Sequence, residues 1–310
     1  MTDHDQSCRF MFLEKIDAVL VINLDENSER WSSMLAQLKR AGLDGKMHRI
    51  QAVRGTELHG YLEKPWFTAR TGERARIWAG VAGCVLSHAR ALKYALEHKD
   101  WNVILVLEDD AMLKLSKWES LGSQLADFME KDQTWELIYP GYSTSPLIAG
   151  ETAWFNIFHC SGVQGTFSML LHRRSWEKLL KKLPEEKNIW SWIAGNRAMD
   201  YWLKSRITPF SPVYYITPAL VDHPDGKFSE ITGKLTVMPE KSPARQLGED
   251  AWRRKYNRIR RILARGRIRW DGASRYIRTR IRGFSGGRDS VEKPLENWGD
   301  AFDQGHSRIK

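Results

Sequence analysis

Apolar residues along this chain come either in short unbroken blocks or spaced at helical intervals, the pattern of alternating strands and helices. Residues 18–24 (AVLVINL) form an apolar, β-branched run of strand length. Over residues 28–41, Trp31, Met34, Leu35 and Leu38 fall on one helical face, and Gly42 supplies a stop. Residues 49–53 predict a second short strand ended by Gly55, and the mixed stretch 56–78 predicts an irregular surface loop or lid. A helix is expected over 81–98, with Cys84, His88, Ala91, Leu92, Ala95 and Leu96 roughly on one side. The strongest strand signal is 101–107 (WNVILVL), whose unbroken apolar character implies burial on both faces. A helix over 117–130, strands over 136–139 and 167–171, helices over 174–183 and 196–204, and a strand over 213–221 complete the body. The alternation predicts an α/β fold, a sheet with helical cover.

Charge divides the chain. Of 310 residues with a net charge of +10, the last 70 hold 19 Lys/Arg against 8 Asp/Glu, so the first 240 are near neutral. We therefore expect a catalytic-type body over 1–240 and a basic, helical, partly disordered extension over 241–310. Within residues 249–270, Trp252, Tyr256, Ile259, Ile262 and Leu263 make one helical stripe, with Arg253, Arg254, Lys255, Arg258, Arg260 and Arg261 around it. Such a helix suits an anionic lipid headgroup layer, and it equally suits packing on the body with a solvated basic face. No RNA- or DNA-reading motif accompanies it, so no nucleic acid partner is expected.

Cys8, Cys84 and Cys160 are sparse, without a CxxC pair, which fits a reducing compartment. The polar N-terminus does not read as a secretory signal, and the longest aliphatic run, 103–107, falls far short of the ~20 residues a membrane span needs. The expected location is cytoplasmic, either soluble or peripheral on the inner face of the cytoplasmic membrane.

The oily strand ends abruptly in Glu108-Asp109-Asp110. Three adjacent carboxylates repel one another, and a hard divalent cation such as Mn²⁺ or Mg²⁺ would relieve that repulsion through its preference for oxygen ligands. Ligand sites of open α/β sheets lie at the carboxyl ends of strands, where this triplet falls. If strand geometry persists, Glu108 and Asp110 point one way and Asp109 the other. An acidic surface turn is the plain alternative.

With three other segments the triplet resembles glycosyltransferase family 25, which includes bacterial lipooligosaccharide galactosyltransferases and collagen-modifying galactosyltransferases. The segments are Val21-Ile22-Asn23-Leu24 with Arg30 and then Ala52-Val53 and Gly55; Gly83-Cys84-Val85-Leu86-Ser87-His88; and, more weakly, residues 135–141 and 167–171 with Asp200 and His223 beyond. The resemblance covers roughly residues 17–235 and implies a GT-A type fold, a UDP-sugar donor and inversion at the anomeric carbon.

It also implies roles. Asn23, Leu24 and Arg30 would border the nucleotide, and Asp109 would join them. Ser87 and His88, read as lying at a helix start, would offer free N–H groups to a phosphate or to the triplet. Glu108 and Asp110 would hold the metal, with His223 completing the set. Asp200, beside Tyr201 and Trp202, would be the base that deprotonates the acceptor hydroxyl. Each has a structural alternative: a solvated charge for Arg30, a satisfied core residue for His88, a dipole-facing helix acid for Asp200, a plain turn for His223.

The function expected is transfer of a hexose, galactose, from a UDP-sugar to a saccharide acceptor, such as a lipid-linked glycan of the lipopolysaccharide core. A metal-dependent nucleotidyl or phosphoryl transferase is the competing enzyme class, although no GxxxxGK[ST] loop occurs. A non-catalytic glycan- or nucleotide-binding protein of the same fold is the third.

Overall fold

The computed structural model describes residues 13–64, 66–67, 72–143, 147–162, 165–208 and 211–223. Ten strands and a set of helices build it. In chain order these are β1 (Ala18–Asn23), α1 (Ser28–Ala41), β2 (Met47–Gln51), α2 (Gly72–Glu97), β3 (Val103–Glu108), β4 (Met112–Leu113), α3 (Leu115–Lys131) and β5 (Leu137–Tyr139). There follow β6 (Leu147–Glu151), β7 (Ile157–Gly162), β8 (Ser168–His172), α4 (Arg173–Leu180), α5 (Ile189–Asn196), α6 (Met199–Trp202), β9 (Val213–Ile216) and β10 (Val221–Asp222).

Eight strands form one mixed sheet in the order β2-β1-β3-β8-β5-β9-β7-β6, and β4 pairs with β10 in a small second sheet. The first three strands of that order run parallel, so Asn23, Gln51 and Glu108 end on one edge of the sheet. β8 runs antiparallel to β3, pairing Ser168 with Leu107. The start of β8 therefore lies beside the end of β3, and the Glu108 N–H donates to the Phe167 carbonyl at 2.9 Å.

Strand alternation divides the core in two. Ala18, Leu20, Ile22, Ile104 and Val106 face a cluster with Ala79, Ala82, Val85, Ala91 and Leu92 of α2. Val19, Val21, Leu105 and Leu107 face the opposite cluster, with Met34 and Leu38 of α1 and Leu121, Leu125 and Phe128 of α3. Both faces of β1 and β3 are thus covered, as their unbroken apolar sequence predicts. By the same alternation Glu108 follows Val106 onto the α2 face. α1 ends where Gly42 takes a left-handed conformation at φ +72, which lets the following turn satisfy the carbonyls of Leu38 and Lys39.

Several expectations need correction. The helix expected from residue 81 begins at Gly72, so part of the supposed loop 56–78 is helical. The expected strand 213–221 stops at Ile216 and resumes as β10 in the other sheet. The expected helix 196–204 is broken at Arg197, which adopts φ +66 between α5 and α6 and leads into a π-helical turn, Leu203–Ile207. The β6–β7 hairpin and α5 were not anticipated. The basic extension, including residues 249–270, lies outside the described residues. Among the described residues no helix is long and apolar enough to cross a membrane.

Candidate functional site

The carboxyl ends of β1 and β3 open into a cleft of about 470 Å³. Leu24, Asn27 and Arg30 line one side, residues 52–56 and the α2 residues Arg76, Gly80, Gly83, Cys84 and Ser87 the other, and Glu108, Asp109, Asp110 and His223 line it as well. Two glycines bring the second side together. A Cβ on Gly55 would lie 1.6 Å from the Ala79 carbonyl oxygen, and one on Gly83 would lie 2.3 Å from that of Val53. Backbone therefore rests directly on backbone, and the loop after β2 is seated against the middle of α2.

The triplet is not held as a unit. Glu108 is the last residue of β3, and the chain then turns, so alternation does not continue to Asp110. Glu108 looks toward α2: its Oε1 lies 3.1 Å from His88 Nε2, accepts from Thr166 Oγ1 at 2.8 Å, and lies 3.9 Å from Cys84 Sγ. Asp109 looks toward α1, accepting from Asn23 Nδ2 at 2.7 Å and from an Arg30 NH at 3.2 Å. Asp110 meets the same Arg30 nitrogen at 3.8 Å and His223 Nε2 at 3.0 Å. The expected grouping of Glu108 with Asp110 against Asp109 is thus replaced: Asp109 and Asp110 share Arg30, and Glu108 stands apart.

Their proton affinities follow these surroundings. Burial pushes Asp109 above the usual aspartate range, the charge of Asp110 adds to this, and Asn23 and Arg30 oppose it. Burial also acts to raise Asp110, but the hydrogen bond and charge of His223, with the charge of Arg30, outweigh it and the net shift is downward. Burial and the nearby Glu108 charge push the Cys84 thiol well up, so it is a protonated thiol rather than a nucleophile.

Asn23 is 1% exposed and its side chain is fully engaged: besides Asp109 it donates to the Asn27 carbonyl, and its Oδ1 accepts two bonds from Arg49. It stands behind the cleft and fixes Asp109. Leu24 and Arg30 lie on the cleft wall. Ser87 and His88 do not sit at a helix start, because α2 began some four turns earlier and their N–H groups are not free. Ser87 Oγ instead donates to the Gly83 carbonyl at 2.6 Å and accepts from the Val53 N–H at 2.8 Å, tying the loop to the helix. His88, 1% exposed, stands behind Glu108. His223 is brought to Asp110 by the strand pair β4–β10.

Asp200, in the first turn of α6, does not line the cleft, although it lies close enough to Glu108 and Cys84 for their charges to interact. Burial pushes its carboxyl up and the Glu108 charge adds, against hydrogen bonds from the Tyr201 and Gly165 N–H groups. The Tyr201 bond is 2.6 Å.

Among the described residues, the ligand atoms gathered within 4.8 Å of one another are those of Cys84, His88 and Glu108. Three donors already converge on Glu108 Oε1 there, so hydrogen bonding accounts for this set without an ion. The expected set of Glu108, Asp110 and His223 offers hard ligands but is not gathered in that way, and Asp110 Oδ1 is buried with no hydrogen-bond partner among the described residues. Sequence reading missed Cys84, Thr166 and Arg76 as parts of the site. Cys84 is four residues from His88 on a helix, a spacing that places both on one face; Thr166 had no local signal.

The family model for glycosyltransferase family 25 (LPS biosynthesis protein) matches residues 16–144. No curated protein matches the chain. Among solved structures, that described as "Crystal Structure of A197 from STIV" aligns over 76% of this chain and 100% of its own, at 11% identity and a TM-score of 0.34. The matched segment contains the INL strand, the GCVLSH stretch of α2 and the EDD strand end, and over residues 16–144 this chain is similar to glycosyltransferase family 25.

Proposed function

We propose that this chain is a GT-A type inverting transferase that moves a hexose, galactose, from a UDP-sugar to a saccharide acceptor in lipopolysaccharide or lipooligosaccharide core synthesis. The observation that carries this reading is the cleft itself: a carboxylate floor at the ends of parallel strands, walled by cations and by backbone, within the segment that matches a glycosyltransferase family. A nucleoside diphosphate suits its size and its mixture of arginines and open backbone.

Inversion sets a geometric requirement. The acceptor hydroxyl attacks the anomeric carbon from the face opposite the departing diphosphate, so its base belongs outside the nucleotide cleft. Asp200 meets that requirement, and burial strengthens it as a proton acceptor. It takes the hydroxyl proton as the new glycosidic bond forms and the bond to UDP breaks. Arg30 lies against both Asp109 and Asp110, and with His223 it holds the Asp110 carboxyl below the usual aspartate range. A divalent ion held by Glu108, Asp110 and His223 would supply charge stabilisation for the leaving diphosphate. The acceptor we favour is a lipid-linked glycan at the inner face of the cytoplasmic membrane, with the basic stripe in residues 249–270 toward the anionic surface.

The test is turnover of a UDP-sugar panel with a lipooligosaccharide acceptor, alongside thermal denaturation with and without Mn²⁺ and chelator. UDP-sugars should raise the melting temperature, UDP-galactose should give transfer, and chelator should weaken both. Absence of any UDP-dependent stabilisation would sink the donor assignment. Stabilisation indifferent to chelator would remove the metal and leave the transferase.

A further inference from the structure

Helix α2 presents Arg76, Gly80, Gly83, Cys84 and Ser87 to the cleft at spacings of four, three, one and three, a single helical face. Three arginines line the same cleft, and their circumstances differ. Arg30 is committed to Asp109 and Asp110. Arg54 is committed to Glu26 and to Glu57, the latter at 3.4 Å. Arg76 is exposed, and among the described residues it pairs with no carboxylate and hydrogen-bonds to no carbonyl. One turn further along the helix comes Gly80, which lines the cleft and carries no side chain of its own.

We propose that Arg76 is the residue that binds the donor's diphosphate, an assignment that rests on the nucleotide-sugar reading above. A guanidinium offers a planar fork of N–H donors that matches two phosphate oxygens at once, which an ammonium cannot do. Phosphate oxygens approaching a glycine-smoothed helix meet this cation without displacing an existing ion pair, whereas recruiting Arg30 or Arg54 would strip a carboxylate of its partner. The diphosphate gains negative charge as the sugar departs, so the same contact strengthens during transfer. The acidic floor imposes a further need. Glu108, Asp109 and Asp110 are compensated only in part, and an incoming dianion requires a cation not already spent.

Calorimetric titration with UDP, UMP and uridine tests the assignment on the full chain and on the Arg76→Gln and Arg76→Lys variants. Because Arg76 is exposed and pairs with no carboxylate among the described residues, the melting temperature of each variant without nucleotide should match the wild type. Arg76→Gln should bind UDP about tenfold or more weakly, UMP with a smaller loss, and uridine unchanged, while Arg76→Lys recovers part of the UDP affinity. Equal UDP affinity in wild type and Arg76→Gln overturns the assignment alone. So does an equal loss for uridine, which would show a general effect on the cleft wall. A wild type that binds no UDP overturns the donor reading and this assignment with it.

Discussion

Glu108 and Asp109 are adjacent in the chain, but they belong to opposite halves of the molecule. Glu108 ends a strand facing α2, where His88, Thr166 and Cys84 converge on one of its oxygens. Asp109 begins the turn facing α1 and, with Asp110, shares Arg30. The first carboxylate is held by neutral or titratable hydrogen-bonding groups, the other two by a permanent cation. Carboxylate crowding at the strand end is therefore resolved by sending neighbours to different partners. In our reading, the role of a metal belongs to donor binding.

That contrast can be broken experimentally. The largest effect should come from Asp110→Asn, which removes a charge at the leaving group and should lower turnover about 10²–10³-fold. Turnover within a few-fold of wild type would exclude Asp110 from the chemistry. Asp200→Asn should cost about 10²-fold in turnover while leaving UDP affinity intact. Since burial raises the Asp200 pKa and the base must be ionised, activity should appear as pH rises through a value above the ordinary aspartate range. An acid limb at or below that range, or wild-type turnover by the variant, rejects Asp200 as the base.

Arg30→Ala probes the α1 half directly. It leaves two part-buried carboxylates side by side without their shared cation, at a cost of about 1–3 kcal/mol near neutral pH. The Asp110 pKa is depressed in the fold, so its contribution to stability is present above the unfolded value and is lost as pH falls through the folded one. Asp109, whose pKa is raised, contributes with the opposite sign, stabilising only where it is protonated. The melting-temperature gap between wild type and Arg30→Ala should therefore close on acidification. A gap independent of pH would mean that Arg30 acts through packing. His88→Gln is the mildest change and probes the α2 half. It exchanges one hydrogen bond to Glu108 for another, costing about 1 kcal/mol, with a larger proportional loss in transfer than in UDP affinity. No loss of either would show that Glu108 needs no support from α2.

The α1 half was largely legible in the sequence. The INL strand, the apolar stripe of residues 28–41 and the Gly42 stop each carry a local signal, and Arg30 falls one turn into the helix that follows. The α2 half was less so. Residues 72–80 lack a clear apolar period, and at Ala79 and Gly83 the helix meets backbone rather than side chains. Ser87 and His88 were then placed at a helix start instead of in its interior. Strand alternation was sound through Glu108 and failed at Asp110, because a turn begins between them. Thr166 reaches the site through antiparallel pairing of β8 with β3, and nothing local in its sequence announces a partner 58 residues away.

The contact of Gly55 with Ala79 and of Gly83 with Val53 also limits how this cleft can diversify. A junction made of side chains can be retuned, one rotamer or one methylene at a time. A junction made of main chain offers no such gradation: the smallest available change at either glycine adds a Cβ well inside van der Waals contact distance of a carbonyl oxygen. Selection for a different donor sugar would therefore find its raw material elsewhere on the rim, at Leu24, Asn27 or Thr56, while that junction stays fixed as the reference against which those residues vary.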